Sequence, residues 1–281
     1  MQVLKIAVLL TTYNRKDKTV ACLNSVKKQV SNTQFLLDLY VTDDASADGT
    51  PDAVKAIYPD AHVFIGDGSL FWAGGMRKCW GAAVKKNYDF YLLLNDDTIL
   101  MSNAFEVLLS YYDNANLDVI VVGSTAEGRV LSYGGQKIIS KFNFIKEIVY
   151  SETEFLNCEL GNANIMLVPK MVVAKIGILS DKYTHGIADY DYTLTAIEAG
   201  LKVVVAPGIL GTCPDDHGNN WKSANNTLEE RIKYLKSPKG LAYTEYLYFI
   251  KRHLPQHYPI AFAKLWAKTL FPFLWDRFKK K

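Results

Sequence analysis

Phe90-Tyr-Leu-Leu-Leu94 carries no charge and runs straight into Asn95-Asp-Asp97. Five apolar or aromatic residues in succession leave no face for water, as in a parallel strand covered by helices on both sides. Such a strand delivers the residues that follow it to one edge of the sheet, where open α/β folds bind their ligands. The segment therefore predicts a fold class and a place to look for chemistry. Its acidic oxygens suit Mg²⁺ or Mn²⁺, which bind through one or two carboxylates plus substrate phosphates. Read alone, the same residues also fit a helix N-cap ahead of Ile99–Leu109.

Working outward, the neighbouring segments repeat the pattern. Lys5-Ile-Ala-Val-Leu-Leu10 is a second continuous apolar run, followed by a helical face of Val20, Cys22, Leu23 and Val26. Phe35 to Val41 forms the next strand and ends in the acidic loop Asp43-Asp-Ala-Ser-Ala-Asp-Gly49. A helix, a short strand at Ala61–Ile65, a Gly-rich loop and a helix through Lys86 complete the approach to Phe90. Beyond it lie another helix and Val119-Ile-Val-Val122. Strands alternating with helices at this spacing imply βαβ units with right-handed crossovers. From about 124 to 154 the pattern reads as hairpins or an insertion around Gly134-Gly135. A strand at Asn164–Val168, helices at Lys170–Ile176 and Ala188–Ala199, a C-cap at Gly200 and a strand at Leu201–Ala206 follow. The remainder reads as helical. With no internal repeat and no linker, the chain is expected to be one domain with a helical tail.

At 281 residues the chain is long enough to bury a large core. A net charge of +3, from 32 basic and 29 acidic residues, argues against nucleic acid as a partner. The four cysteines (Cys22, Cys79, Cys158, Cys213) have no zinc-like or redox spacing and read as free thiols. No signal-peptide pattern is seen, and no apolar run approaches the ~20 residues of a membrane span. A cytosolic protein is expected, or one on the inner face of the cytoplasmic membrane.

Three polar clusters fall at the carboxyl ends of successive strands: Thr11-Thr-Tyr-Asn-Arg15, Asp43-Asp44 and Asn95-Asp-Asp97. Each alone could be turn chemistry; three at one sheet edge point to a ligand crevice. The glycine patterns of dinucleotide enzymes and of P-loop NTPases are both missing after the first strand. His185-Gly-Ile-Ala-Asp-Tyr-Asp-Tyr192 leads into a helix, where carboxylates suit the dipole. Asp189 and Asp191, two apart, point in different directions, and a carboxylate there could take a proton from an attacking hydroxyl.

In order and spacing, Thr11–Arg15, Asp43–Thr50, Asn95–Thr98 and His185–Tyr192 resemble the motifs of family-2 glycosyltransferases of the GT-A fold. Phe71-Trp-Ala-Gly-Gly-Met-Arg77 and Ala206–Cys213 look like a branch containing rhamnosyltransferases and other polysaccharide-building enzymes. The resemblance covers about residues 4 to 215. It implies a Rossmann-like α/β fold, a central mostly parallel sheet flanked by helices, with a C-terminal helical extension. The GT-A domain would span 1–225, a nucleotide-binding half to about 123 and an acceptor half from 124, with the extension over 226–281.

The resemblance also implies roles. Thr11, Thr12, Tyr13, Asn14 and Arg15 would line the nucleotide pocket, with Asp43 reading the base and Asp44 beside it. Gly74, Gly75 and Arg77 would lie along the donor's ribose and phosphates, and Asn95 and Asp96 would join them. Asp97 would be the principal ligand of Mg²⁺ or Mn²⁺, which stabilises the leaving diphosphate as a Lewis acid. Asp189 aligns with the catalytic base, while Asp191 remains a competitor because Ala188 stands where an acidic neighbour is common. Asn95 replaces the first acid of the D-x-D pattern, and Thr195 stands where an Arg is frequent. His217 is either a further metal ligand or a surface loop residue. His185 and Trp72 would shape the acceptor side.

From Ile260 to Lys281, aromatic and aliphatic residues (Phe262, Trp266, Phe273, Trp275, Phe278) mix with lysines around Pro272. That composition suits a helix lying in a membrane interface, and equally a helix packed on the domain or in a homodimer. The reading that results is an inverting, non-processive glycosyltransferase using a nucleotide-sugar donor, dTDP-rhamnose or a UDP-sugar. Its acceptor would be a glycan or lipid-linked glycan of a growing cell-surface polysaccharide. A processive synthase is disfavoured by the missing Q-x-x-R-W motif. The alternatives are a non-catalytic nucleotide-sugar-binding relative and a sugar nucleotidyltransferase.

Overall fold

The computed structural model describes residues 3–29, 35–114, 117–213 and 226–273. The first half alternates as expected: β1 (Leu4–Thr12), α1 (Lys16–Gln29), β2 (Phe35–Asp43), α2 (Thr50–Ile57), β3 (His62–Ile65), α3 (Phe71–Ala83) and β4 (Phe90–Leu94). Next come β5 (Ile99–Leu100), α4 (Ala104–Ser110) and β6 (Val119–Glu127). The irregular stretch resolves into β7 (Val130–Tyr133), β8 (Gly135–Ser140), β9 (Ile145–Val149), β10 (Leu156–Asn157) and β11 (Leu160–Gly161). The series continues with β12 (Ile165–Pro169), α5 (Lys170–Ile176), α6 (Ala188–Glu198) and β13 (Lys202–Thr212). The C-terminal part holds α7 (Leu228–Lys236), α8 (Tyr243–His253) and α9 (Tyr258–Leu270).

The main sheet runs β10-β13-β6-β12-β4-β1-β2-β3. Within it β3, β2, β1 and β4 are mutually parallel, as are β6 and β13, and β12 runs against both β4 and β6. This reversal matters for function. Ile165 pairs with Leu94, so the residues before β12 lie beside the carboxyl end of β4. A smaller sheet, β11-β8-β9, forms from the hairpin region.

Side chains alternate across each strand, and β1 shows how that builds two cores. Ile6, Val8 and Leu10 face Cys22, Leu23 and Val26 of α1 with Ala104, Phe105 and Leu108 of α4. Ala7 and Leu9 join the opposite cluster with Ala73, Met76, Cys79 and Trp80 of α3. All five residues of β4 are buried, as a strand covered on both faces must be. Each fully buried large apolar side chain contributes roughly 1.5–3 kcal/mol relative to exposure. The helix α6 ends as its sequence predicts. Gly200 at φ 76° allows Leu201 N–H to reach the Ala196 carbonyl and its own N–H to reach Ile197, a Schellman closure.

The C-terminal helices are not a detached tail. Leu235, Leu247, Phe249, Ile250, Leu254, Ala261 and Leu265 belong to the same core cluster as Tyr192 and Leu194 of α6. Thr227 and Glu230 form a reciprocal capping box that starts α7. On α9, Ala261, Leu265 and Thr269 face inward, whereas Phe262 and Leu270, with Phe271 and Phe273 beyond, are exposed. Among the described residues no helix is long and apolar enough to cross a membrane.

Candidate active site

The carboxyl ends of β1, β2 and β4 converge as the sequence implied. Thr12 Oγ1 meets Thr19 Oγ1 at 2.8 Å, tying the end of β1 to α1. Tyr13 is exposed at the crevice mouth. Asn14, at φ 50°, accepts the Ala47 N–H through its side chain and donates its own N–H to Ser46 Oγ, so the β1 and β2 loops are laced together. Arg15 Nη1 then reaches Asp97 Oδ2 at 2.6 Å and Asp96 Oδ1 at 3.3 Å.

The two aspartates after β2 have separate tasks. Asp43 is buried; its Oδ1 accepts the Ser46 N–H while Oδ2 has no hydrogen-bond partner. Asp44 takes the Gly68 and Phe71 N–H groups on its two oxygens, both at 2.9 Å, and so shapes the Gly-rich loop leading into α3. A Cβ on Gly66 would fall 2.3 Å from Asp44 Oδ1, which explains the glycine. On α3, Gly75 packs directly on β1: a Cβ there would lie 2.4 Å from Thr11 Cγ2. Thr11 Oγ1 donates to the Trp72 carbonyl, and Thr42 Oγ1 to that of Gly75. Gly74 is buried on the same turn, its N–H bonded to the Leu70 carbonyl. Arg77 donates to the carbonyls of Ser180 and Tyr183, bracing α3 against the loop before α6.

Asn95 accepts the Trp72 indole N–H at 2.8 Å, and Trp72 is thereby fixed over the end of β4. Asp96 is 6 % exposed, and burial pushes its carboxyl up to about 6 while Arg15 pulls the other way. Its Oδ2 is buried and unpartnered. Asp97 Oδ1 accepts from the Cys213 thiol at 3.6 Å, and Asn164 Nδ2 donates to that sulfur at 3.1 Å. Neither Cys213 nor Asn164 stood out in the sequence as a site residue; the reversed β12 and the full length of β13 bring them in.

Asp189 and Asp191 part company. At the N-terminus of α6, Asp189 is partly exposed; its Oδ2 accepts the Ala163 N–H and its Oδ1 the Tyr190 N–H. Burial raises its pKa above the usual carboxylate range, opposed by those N–H groups and by Lys146. Lys146 Nζ lies 4.7 Å from the Tyr190 ring centroid. Ala163 adjoins Asn164, so a short chain of contacts links Asp189 through Asn164 and Cys213 to Asp97. Asp191 is 2 % exposed and turns inward. It accepts from Tyr183 Oη, Arg252 Nη1 and His253 Nε2, at 2.8, 3.0 and 2.8 Å, while the other ring nitrogen of His253 meets Glu198. These bonds fall mainly on Oδ1, with Oδ2 taking a shared Arg252 contact at 3.3 Å, and they brace α6 against α8. His185 lies beside Phe71, ring centroids 6.1 Å apart. His217 lies outside the described residues.

The donor set suits a small divalent cation. Asp96 and Asp97 present hard carboxylate oxygens, one of them buried without a partner, and the pair already holds one positive charge in Arg15. Among the described residues no group of three or more His, Cys, Asp or Glu side chains is arranged to hold a metal ion.

The family model for glycosyl transferase family 2 matches residues 7–165. No curated protein matches the chain. Among solved structures, the fold resembles the mannosyltransferase PcManGT of Pyrobaculum calidifontis in complex with GDP-Man and Mn²⁺. There the TM-score is 0.54 at 14 % identity, over 95 % of this chain and 71 % of that one. S. aureus TarS 1-349 in complex with UDP gives 0.59 at 12 % identity, over 99 % and 93 %. GalNAc-T7 with UDP, GalNAc and Mn²⁺ gives 0.64 at 12 % identity, over 96 % of this chain and 53 % of that one, so this chain spans about half its length.

Proposed function

We propose that this chain, which belongs to glycosyl transferase family 2, is an inverting, non-processive glycosyltransferase. It transfers one sugar from a nucleoside-diphosphate donor, dTDP-rhamnose or a UDP-sugar, to a hydroxyl of a growing, lipid-linked cell-surface polysaccharide. One observation carries the reading: Asp97 and Asp189 approach a single crevice from different elements, joined through Asn164 and Cys213, while Asp191 is locked away.

The nucleotide would lie across the carboxyl ends of β1 and β2, over the joined β1 and β2 loops, with Asp43, whose buried Oδ2 lacks a partner, as the residue toward its base. Asp96 and Asp97 would hold Mg²⁺ or Mn²⁺ together with Arg15 nearby. When bound, that ion would supply Lewis-acid stabilisation of the departing diphosphate. Asp189 takes the proton of the acceptor hydroxyl as its oxygen bonds to the anomeric carbon. The bond from that carbon to the diphosphate oxygen breaks in the same displacement, its electron pair leaving with the nucleoside diphosphate. Attack and departure on opposite faces invert the anomeric centre. The raised pKa of Asp189 suits a general base, whose efficiency improves as its pKa approaches working pH. Trp72 and His185, at the opening of α3 and before α6, flank the acceptor side.

The test is release of nucleoside diphosphate from a panel of UDP-, dTDP- and GDP-sugars with a lipid-linked glycan fraction, and the anomeric configuration of the product. Asp189→Asn should cost about 10²–10⁴-fold in kcat with donor affinity kept. A product of retained configuration, or full activity in Asp189→Asn, would overturn the assignment.

A further inference from the structure

The loop between α7 and α8 reaches the crevice from the far end of the chain. Lys239 Nζ stands 5.8 Å from the ring centroids of both Tyr13 and Phe71. Tyr13 follows the end of β1, two residues before Arg15, and Phe71 opens α3 with its N–H held by Asp44. The loop is tightly wound. Gly240 N–H and Ala242 N–H bond to the Ser237 carbonyl, and Leu241 N–H to that of Tyr234. A Cβ on Gly240 would lie 2.0 Å from the Tyr234 carbonyl oxygen, so only glycine permits the turn that presents Lys239. Just beyond, Glu245 accepts the Thr184 N–H at 3.0 Å and stitches α8 to the loop before α6.

We propose that Lys239 is a donor-phosphate residue, its ammonium binding the anionic oxygens of the nucleoside diphosphate. The inference rests on the donor reading above. The crevice gathers four carboxylates, from Asp43, Asp44, Asp96 and Asp97, and Arg15 is already drawn to two of them. Even with one divalent ion and Arg15 counted, four carboxylates leave that field negative, so a diphosphate entering it is favoured by further cationic charge. Lys239 is exposed, and among the described residues it pairs with no carboxylate. The faces of Tyr13 and Phe71 hold the ammonium weakly and leave its three N–H donors for a phosphate.

Isothermal titration settles it on the full chain with Mn²⁺: UDP, dTDP and GDP first, then the monophosphate and nucleoside of whichever binds. Lys239→Ala should weaken the diphosphate roughly ten- to a hundredfold, with the nucleoside nearly unchanged and added salt narrowing the difference. Lys239→Arg should recover most of the affinity. Equal loss for diphosphate and nucleoside would show that Lys239 only packs on the aromatic pair, and no loss at all would also overturn the proposal. Failure of wild type to bind any nucleotide would instead remove the donor reading itself.

Discussion

Asp189 and Asp191 stand two positions apart at the start of α6, and their environments differ. The sequence left both open as bases, because a two-residue step on a helix separates directions without saying which one meets solvent. The structure gives Asp191 two partners the sequence did not suggest, Arg252 and His253 from 61 and 62 residues downstream, and the proposed assignment of Asp189 as base follows that difference. The pH consequences of Asp189 have a definite sign. Burial raises its folded pKa above the ordinary 3.8. A base must be ionised, so kcat/KM should fall as pH drops through a value above 3.8. Stability runs the other way. With the folded pKa above the unfolded one, the contribution of Asp189 is greatest below the unfolded value and is lost as pH rises through the folded value. Lys146 favours the ionised form, so Lys146→Met should move the acid limb of the kcat/KM profile to higher pH. A limb that stays in place would show that this ammonium does not act on the carboxylate.

Strands were the most legible elements. Phe90–Leu94 is β4 to the residue, a continuous apolar run too short for a helix and cut off by the polar Asn95. The site's far wall was not legible. The strand expected at Leu201–Ala206 continues as β13 to Thr212, its ladder resuming past an irregularity at Pro207 and Gly208, where φ is 71°. A proline and a glycine normally end a strand, so the sequence hid the very residues that carry Cys213 to Asp97. Likewise nothing local announced that β12 runs backwards. Two element-scale substitutions test the packing. Gly75→Ala should destabilise the fold by about 1–3 kcal/mol, because its methyl would invade Thr11. Asp191→Ala should cost about 3 kcal/mol, since it strands Arg252, His253 and Tyr183 around an empty position. Denaturant melts of both variants measure these costs, and a change below about 0.5 kcal/mol in either would refute the contact invoked.

At the scale of the molecule, the C-terminal part packs on the core, brings Lys239 beside Tyr13 and Phe71, and turns one apolar face of α9 outward. The exposed Phe262, Leu270, Phe271 and Phe273, with Lys264 and Lys268 among them, support the reading of α9 as a contact for an anionic membrane surface. In the full chain, Phe271→Ala with Phe273→Ala should lower co-sedimentation with phosphatidylglycerol vesicles severalfold, and equal binding by both proteins would sink the membrane reading. The central claim, a metal-assisted nucleoside-diphosphate site at the carboxyl ends of β1, β2 and β4, has a more direct test. Calorimetric titration of UDP, dTDP and GDP, each with and without Mn²⁺, into wild type and Asp97→Ala should show one nucleotide bound in a metal-dependent way, with that binding lost in the variant. No nucleotide binding under any condition, or binding indifferent to both Mn²⁺ and Asp97, would contradict it.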